Sequence, residues 1–337
     1  MRFLFLIQDA KMPSSRIRVM NLLPELKKNG LDVSAELYPN NLKDKYILYN
    51  RLHVYDCVIL QKRLISFFDL FFLRKKTNKI GYDFDDAVYL KDDSAVSNYS
   101  ISRNIKFTRI MKNVDFVIAG NNMLSRKSLL YKKPTYVLPS SVEIRGKPCK
   151  KNYKIIGTLK LGWVGGSNNF NYLRLLSKPL QNLAKEIDFE LSIISNKPLK
   201  IDGVKTNFIP WDLKTQENEI CKLDIGLMPL SNSPFSSGKC SYKALQYMAT
   251  GVPCILSNVG MNFEVASSGA ALLADSIEEF QEKILLLYNN ENLRRSFGEN
   301  GKRIVVENYS TCVISQKMVR ILKEIMQCNS ENNISNF

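Results

Sequence analysis

Short runs of β-branched and aromatic residues alternate with longer amphipathic stretches along nearly the whole chain. This alternation limits the fold more than any other feature, because strands separated by helices lie parallel in a sheet covered on both faces. Residues 3–7 form the first such run. Ser14 or Ser15 can cap a helix to about Asn29, with Val19, Leu22, Leu23 and Leu26 on its buried stripe, Pro24 kinking or splitting it, and Gly30 ending it. Further strands are expected at 31–37, 57–61, 79–84, 114–119 and 135–138, with helices near 63–76, 98–112 and 122–131 between them. From Pro139 to Lys154 the pattern lapses into Ser, Gly, Pro and lysine, the composition of a linker. It then resumes with strands at 161–164, 189–194, 204–209, 224–228 and 253–257, a helix starting near Gly238, helices after Asp275 and Glu291, and a last amphipathic segment from Ser310. The reading is α/β: a doubly wound Rossmann-like domain over 1–145, a linker over 146–158, a second such domain over 159–309, a helix over 310–328 able to pack back on the first domain, and a frayed tail over 329–337.

Composition supports two cores, since 337 residues at 45% hydrophobic exceed one ordinary core. No stretch approaches the roughly 18 uncharged apolar residues of a spanning helix: the run at 3–7 stops at Gln8 and that at 71–73 stops at Arg74. The start reads as a strand rather than a secretory signal, so a cytoplasmic protein is expected. Seven cysteines without a C-x-x-C pair, and a single histidine, His53, argue against a disulfide framework or a zinc site. The charge is uneven: residues 1–150 hold 27 Lys and Arg against 14 Asp and Glu, and the remainder 21 against 18. A basic N-terminal half points to an acidic partner, either nucleic acid or the anionic face of a membrane, unless the excess is a compositional bias. No nucleic-acid-binding module appears in the sequence, and its aromatics fall in apolar runs, so nucleic acid is the weaker choice.

Two doubly wound domains in tandem would set the carboxyl ends of two sheets across a cleft, where open α/β sheets bind ligands. The densest motif there is 228–253: a strand end, the polar loop 231–237, a helix expected from about Gly238 to Ala249, and a turn at Gly251. On that helix Lys239, Lys243 and Gln246 share a face near the amino end, where the dipole favours a diphosphate; a solvated flank is the plainer alternative.

Here the sequence resembles the retaining, nucleotide-sugar-dependent glycosyltransferases of family 4, with the two-domain GT-B fold. The residues that carry the resemblance are Leu161-Gly-Trp-Val-Gly-Gly-Ser167, Asp224-Ile-Gly-Leu-Met-Pro229, Gly238-Lys-Cys-Ser-Tyr-Lys-Ala-Leu-Gln-Tyr-Met-Ala249, Gly251-Val-Pro253, and Gly260 with Glu264; Leu293-Arg294, Gly298 and Asn308-Tyr-Ser310 carry a weaker part. In that family two glutamates eight residues apart hold the sugar and the ribose. The matching positions here are Gly238 and Gln246, so the sugar-binding carboxylate is missing and Lys239 is a partial substitute, while Gln246 can still hydrogen-bond ribose. The resemblance further implies that Gly165, Gly166 and Ser167 approach the phosphates and that Trp211 lines the base pocket. Glu264 is either a second carboxylate near the sugar or a dipole-stabilising helix residue.

On the N-terminal side, Asp83-Phe-Asp-Asp86 ends a strand. A metal-binding D-x-D is one reading, but GT-B relatives generally work without metal. Asp85 and Asp86 are therefore expected to orient or deprotonate the acceptor, with no metal or other cofactor. Arg16 and Arg18 can meet phosphate or form a basic helix flank. Residues 63–76 set phenylalanine pairs between cations, which suits a membrane interface or a core-facing helix. Together these readings imply an enzyme that moves a sugar from a nucleotide diphosphate donor to a lipid-linked or saccharide acceptor in bacterial surface polysaccharide assembly, peripheral on the inner face of the membrane. The alternatives are a catalytically silent glycosyltransferase-like subunit and a basic nucleic-acid-binding protein.

Overall fold

The structure is a computed structural model describing residues 1–267 and 269–332. Two six-stranded sheets hold β1 (Arg2–Ile7), β2 (Asp32–Leu37), β3 (Cys57–Gln61), β4 (Ile80–Phe84), β5 (Phe116–Ala119) and β6 (Thr135–Val137) in the order β2-β1-β3-β4-β5-β6, and β7 (Leu159–Val164), β8 (Phe189–Ser195), β9 (Thr206–Pro210), β10 (Ile225–Met228), β11 (Cys254–Ser257) and β12 (Leu272–Ala274) in the order β12-β11-β10-β7-β8-β9. Every neighbouring pair is parallel. Each sheet is thus doubly wound, with the strand order reversing between β1 and β3 in one and between β7 and β10 in the other.

The central strands are buried on both faces, which is why they read as unbroken apolar runs rather than alternating ones. Edge strand β9 is half-exposed, and its Pro210 stands at the end, where no ladder donor is lost. Several helices begin where a short polar side chain accepts from the third backbone N–H onward: Asn41, Ser66, Ser100 and Asn121 each do so.

The chain divides into two compact units, Met1–Ser141 together with the segment from Ser310 onward, and Val142–Tyr309. The last helix, Thr311–Asn332, sends Ile314, Met318, Leu322 and Ile325 into one core with Val19, Leu22, Leu26 and strands β1, β3 and β5. It continues through residues expected to fray, and 333–337 lie outside the described residues.

One expectation is corrected. Residues 146–158 are not a free linker, because Lys150 Nζ donates to Leu223 O (2.8 Å), Tyr153 OH donates to Gly251 O (3.0 Å), and Arg294 donates back to Tyr153 O (2.7 Å), tying the segment into the second unit. The split expected in helix 14–29 occurs just ahead of Pro24: a wide-turned π segment, Arg16–Met20, precedes the helix Leu23–Lys28, and Pro24 sits in that helix's first turn, where its missing N–H costs nothing.

Candidate active site

In the second unit the segments that follow β7, β8, β9, β10 and β11 all emerge at the carboxyl edge of the sheet. The turn Gly165–Ser167 follows β7. Its Ser167 N–H donates to Asn196 Oδ1 (2.8 Å), a side chain just beyond β8, and its Gly165 N–H continues the ladder to Ile194 O (3.0 Å). A Cβ on Gly165 would lie 2.6 Å from Lys243 Cε and 2.8 Å from the Trp163 ring, so the lysine stem lies directly against the bare glycine. Lys243 Nζ sits 5.1 Å from the Trp163 ring centroid, and Lys239 Nζ sits 5.1 Å and 4.9 Å from those of Tyr172 and Phe235. Both ammonium groups are therefore brought to the residues that follow β7.

They do not come from one helix face. Instead of one helix from 238, there are two, Pro234–Ser237 and Tyr242–Ala249. Ser233 accepts from Ser236 N–H and Pro234 opens the first turn. Gly238 ends that helix, and Ser241, at φ +50°, reverses the chain before the second. Ser241 Oγ, buried, is held by Asn262 Oδ1 (2.7 Å), and Asn262 in turn donates to Ser257 O (2.9 Å). Lys239 thus stands in the turn and Lys243 in the first turn of the second helix.

That helix is anchored by Tyr247, whose hydroxyl accepts from Val164 N–H (3.1 Å) and lies 3.2 Å from Leu227 O, with its ring against Gly226, where a Cβ would come within 2.6 Å. Burial pushes the Tyr247 pKa well up, keeping the hydroxyl protonated. Gln246 is buried and donates to Gln216 Oε1 (3.1 Å), which also accepts from Trp211 Nε1 (2.9 Å). The half-exposed Trp211 ring is fixed in orientation by this shared acceptor. Gly260, at φ +56°, lets the turn after β11 press on the loop after β10: a Cβ there would be 2.5 Å from Ser237 O. Glu264 is exposed on the helix Met261–Ala266 that follows.

In the first unit, Arg18 is fully buried and grips Asp83, with Nε donating to both carboxylate oxygens (3.1 and 2.9 Å) and Nη1 donating to Leu138 O (2.8 Å). Burial pushes the Asp83 pKa up against the pull of the guanidinium. Neither expectation for Arg18, a phosphate ligand or a basic flank, survives this placement. Arg16, half-buried, opens the π segment. Asp85 and Asp86 both pair with Lys62 Nζ, Asp85 at 3.0 Å. Burial pulls the Lys62 pKa down, but the two carboxylates together raise it more. The pair is thus engaged by a lysine that sits just past β3 at φ +61°. A cavity of about 570 Å³ at this sheet edge is lined by Lys62, Arg63 and Arg103 but not by either aspartate. His53 is exposed in the short turn Leu52–Val54. Among the described residues no three His, Cys, Asp or Glu side chains cluster as metal ligands, and no helix is long and apolar enough to cross a membrane.

Residues 231–304 match the model of the glycosyl transferases group 1 family. The matched segment lies within the second unit. That match opens on the loop after β10 and takes in Gly238, Lys239, Lys243, Gln246 and Glu264. The whole chain is similar to an uncharacterized glycosyltransferase of Methanocaldococcus jannaschii, at 23% identity over 341 residues covering 90% of this chain and 86% of that one. Among solved structures it resembles sucrose-phosphate synthase from Thermosynechococcus elongatus (14% identity, 97% of this chain and 100% of that one, TM-score 0.77) and Anabaena HepE in complex with UDP-glucose (12%, 96% and 100%, 0.72). The fold is GT-B, and the chain is a glycosyltransferase.

Four residues at the carboxyl edge of the second unit's sheet escape the sequence reading: Asn196, Gln216, Tyr172 and Asn262. Only Asn196 carries a signal, an Asn directly after a strand end. The other three each reach a partner tens of residues away, Gln246 for Gln216, Ser236 for Tyr172 and Ser241 for Asn262, which spacing does not reveal.

Proposed function

We propose that the chain moves a sugar from a nucleotide diphosphate donor, held on the second unit, to a lipid-linked or saccharide acceptor. The observation that carries this reading is the convergence of Lys239 and Lys243 on the residues after β7, with the Lys243 stem against Gly165. Bond cleavage leaves negative charge on the diphosphate, and two ammonium groups, Lys243 beside the glycine turn and Lys239 over the Tyr172 ring, are suited to receive it without a metal. Trp211, pinned through Gln216, would present its face to the base, and Gln246 would serve the ribose. Gly238 offers no carboxylate to the sugar, so we assign that contact to Glu264, on the helix that Gly260 lets approach the loop. HepE, solved with UDP-glucose, favours a uridine diphosphate donor. The resemblance to retaining enzymes of polysaccharide assembly supports retention and a bacterial surface glycan as product.

A catalytically silent subunit is the second reading, and the absent carboxylate at Gly238 is what favours it. Incubation with UDP-, GDP- and ADP-sugars separates the two: an active enzyme releases nucleoside diphosphate, and Lys239→Ala lowers kcat by about 10²-fold or more. Binding without turnover on any donor or acceptor would establish the silent subunit instead.

A further inference from the structure

Helix Phe67–Lys76 buries only Leu70 and Leu73. Its four phenylalanines, spaced i, i+1, i+4 and i+5, form a separate stripe turned to solvent, with Phe67 55%, Phe68 71%, Phe71 50% and Phe72 45% exposed. They pair edge to face, Phe67 with Phe68 and Phe71 with Phe72, each at 5.6 Å between centroids. Single exposed apolar side chains are ordinary, but a contiguous aromatic stripe is not.

The helices packed on either side, Leu42–Arg51 and Ile101–Asn113, extend the patch. Each links strands that step in the same direction across the sheet, so right-handed crossovers put all three on one face. Leu42 (83%), Tyr46 (70%) and Ile101 (65%) are exposed on these flanking helices. The three helices also carry ten Lys and Arg against two Asp, Asp44 and Asp69. Both acids are engaged, Asp44 by Asn41 Nδ2 (2.7 Å) and Asp69 by Lys45 Nζ (2.9 Å), and acids outside the three helices pair with two of the cations, Glu36 with Arg51 and Asp115 with Arg74 (2.6 Å), so the face keeps a smaller but still positive excess. Cations lie over the rings themselves: Arg109 stands 5.6 Å from the Phe67 ring and Lys75 5.8 Å from that of Phe71.

We infer that this three-helix face docks the protein on an anionic lipid bilayer, its phenylalanines entering the acyl boundary and its cations meeting the headgroups. An aromatic stripe with a positive excess suits that occupant. It does not suit a second copy of the same face, whose like charges would oppose the contact. The inference does not depend on the transfer reaction: every residue it uses lies in the first unit, outside the donor-binding residues.

The test is co-sedimentation of the full chain with phosphatidylcholine vesicles, with and without phosphatidylglycerol. Wild type is expected to pellet with the phosphatidylglycerol vesicles and to be released by high salt. Phe68→Ser/Phe71→Ser should lower partitioning by about tenfold or more with an unchanged circular dichroism spectrum and Tm, since both side chains are at least half exposed. Lys75→Glu/Lys76→Glu should remove the preference for anionic lipid. The inference fails if wild type stays in the supernatant, if the serine variant pellets as well as wild type, or if light scattering finds a dimer that the serine variant abolishes.

Discussion

A methyl group on residue 165 would meet the far end of the Lys243 stem and the rim of Trp163. Because the lysine is flexible, Gly165→Ala is expected to leave the fold intact and to move the ammonium. Calorimetric titration should then show nucleoside diphosphate affinity about tenfold lower, roughly 1.4 kcal/mol, with apo Tm nearly unchanged. Unaltered affinity would separate this turn from the donor. Arg18 poses the opposite case: truncation to Ala strands the Asp83 carboxylate in the core. A loss of about 3–5 kcal/mol is expected in urea unfolding, and Arg18→Met/Asp83→Leu should recover most of it, since an apolar pair needs no desolvated charge. If the double variant is no better than the single, the pair does more than neutralise itself. Sequence alone could not have separated Arg18 from Arg16. Two arginines two residues apart look alike until a wide π turn sends the second inward to a carboxylate 65 positions away.

Elements were legible where local chemistry decides them. The central strands announce themselves as apolar runs because both faces are covered, and helix starts follow Ser and Asn caps. The break inside 234–249 was not legible as a break, although Ser233, Pro234 and Gly238 are its local signals; an apolar periodicity that continues to Ala249 masked them. Strand β12 is three residues long, too short to alternate visibly, and the segment 146–158 looks like a linker because its ties to the second unit run through Lys150 and Tyr153, not through periodicity. At Gly260 one element closely constrains another. Gly260→Ala combines left-handed strain with a backbone collision at Ser237, so a loss of about 2 kcal/mol or more and a fall in Tm of several degrees are expected by scanning calorimetry. A variant that melts like wild type would mean that the turn after β11 is not tied to the loop after β10.

For the molecule as a whole, the half-buried Cys221 and the buried Cys254 contribute to an alkaline limit. Burial pushes the Cys221 thiol up to about 11 and the Cys254 thiol up to about 12, from an ordinary thiol value of 9.0. The folded state therefore keeps protons that the unfolded chain gives up. The contribution is complete below pH 9 and drains away as pH rises through the folded values. Tm should fall between pH 9 and pH 10.5, and fall less in Cys221→Ala/Cys254→Ala; equal slopes would assign the loss to other groups. The central claim is that Lys243, against the turn after β7, and Lys239, over the Tyr172 and Phe235 rings, grip a nucleoside diphosphate. Thermal shift in UDP, with GDP and ADP alongside, tests it most directly. Wild type should gain about 2.7 kcal/mol at a hundredfold excess over Kd, seen as a rise of several degrees, and Lys243→Ala should show none while its apo Tm stays near that of wild type. A full shift retained by Lys243→Ala, or none in wild type with any of the three, would contradict the account.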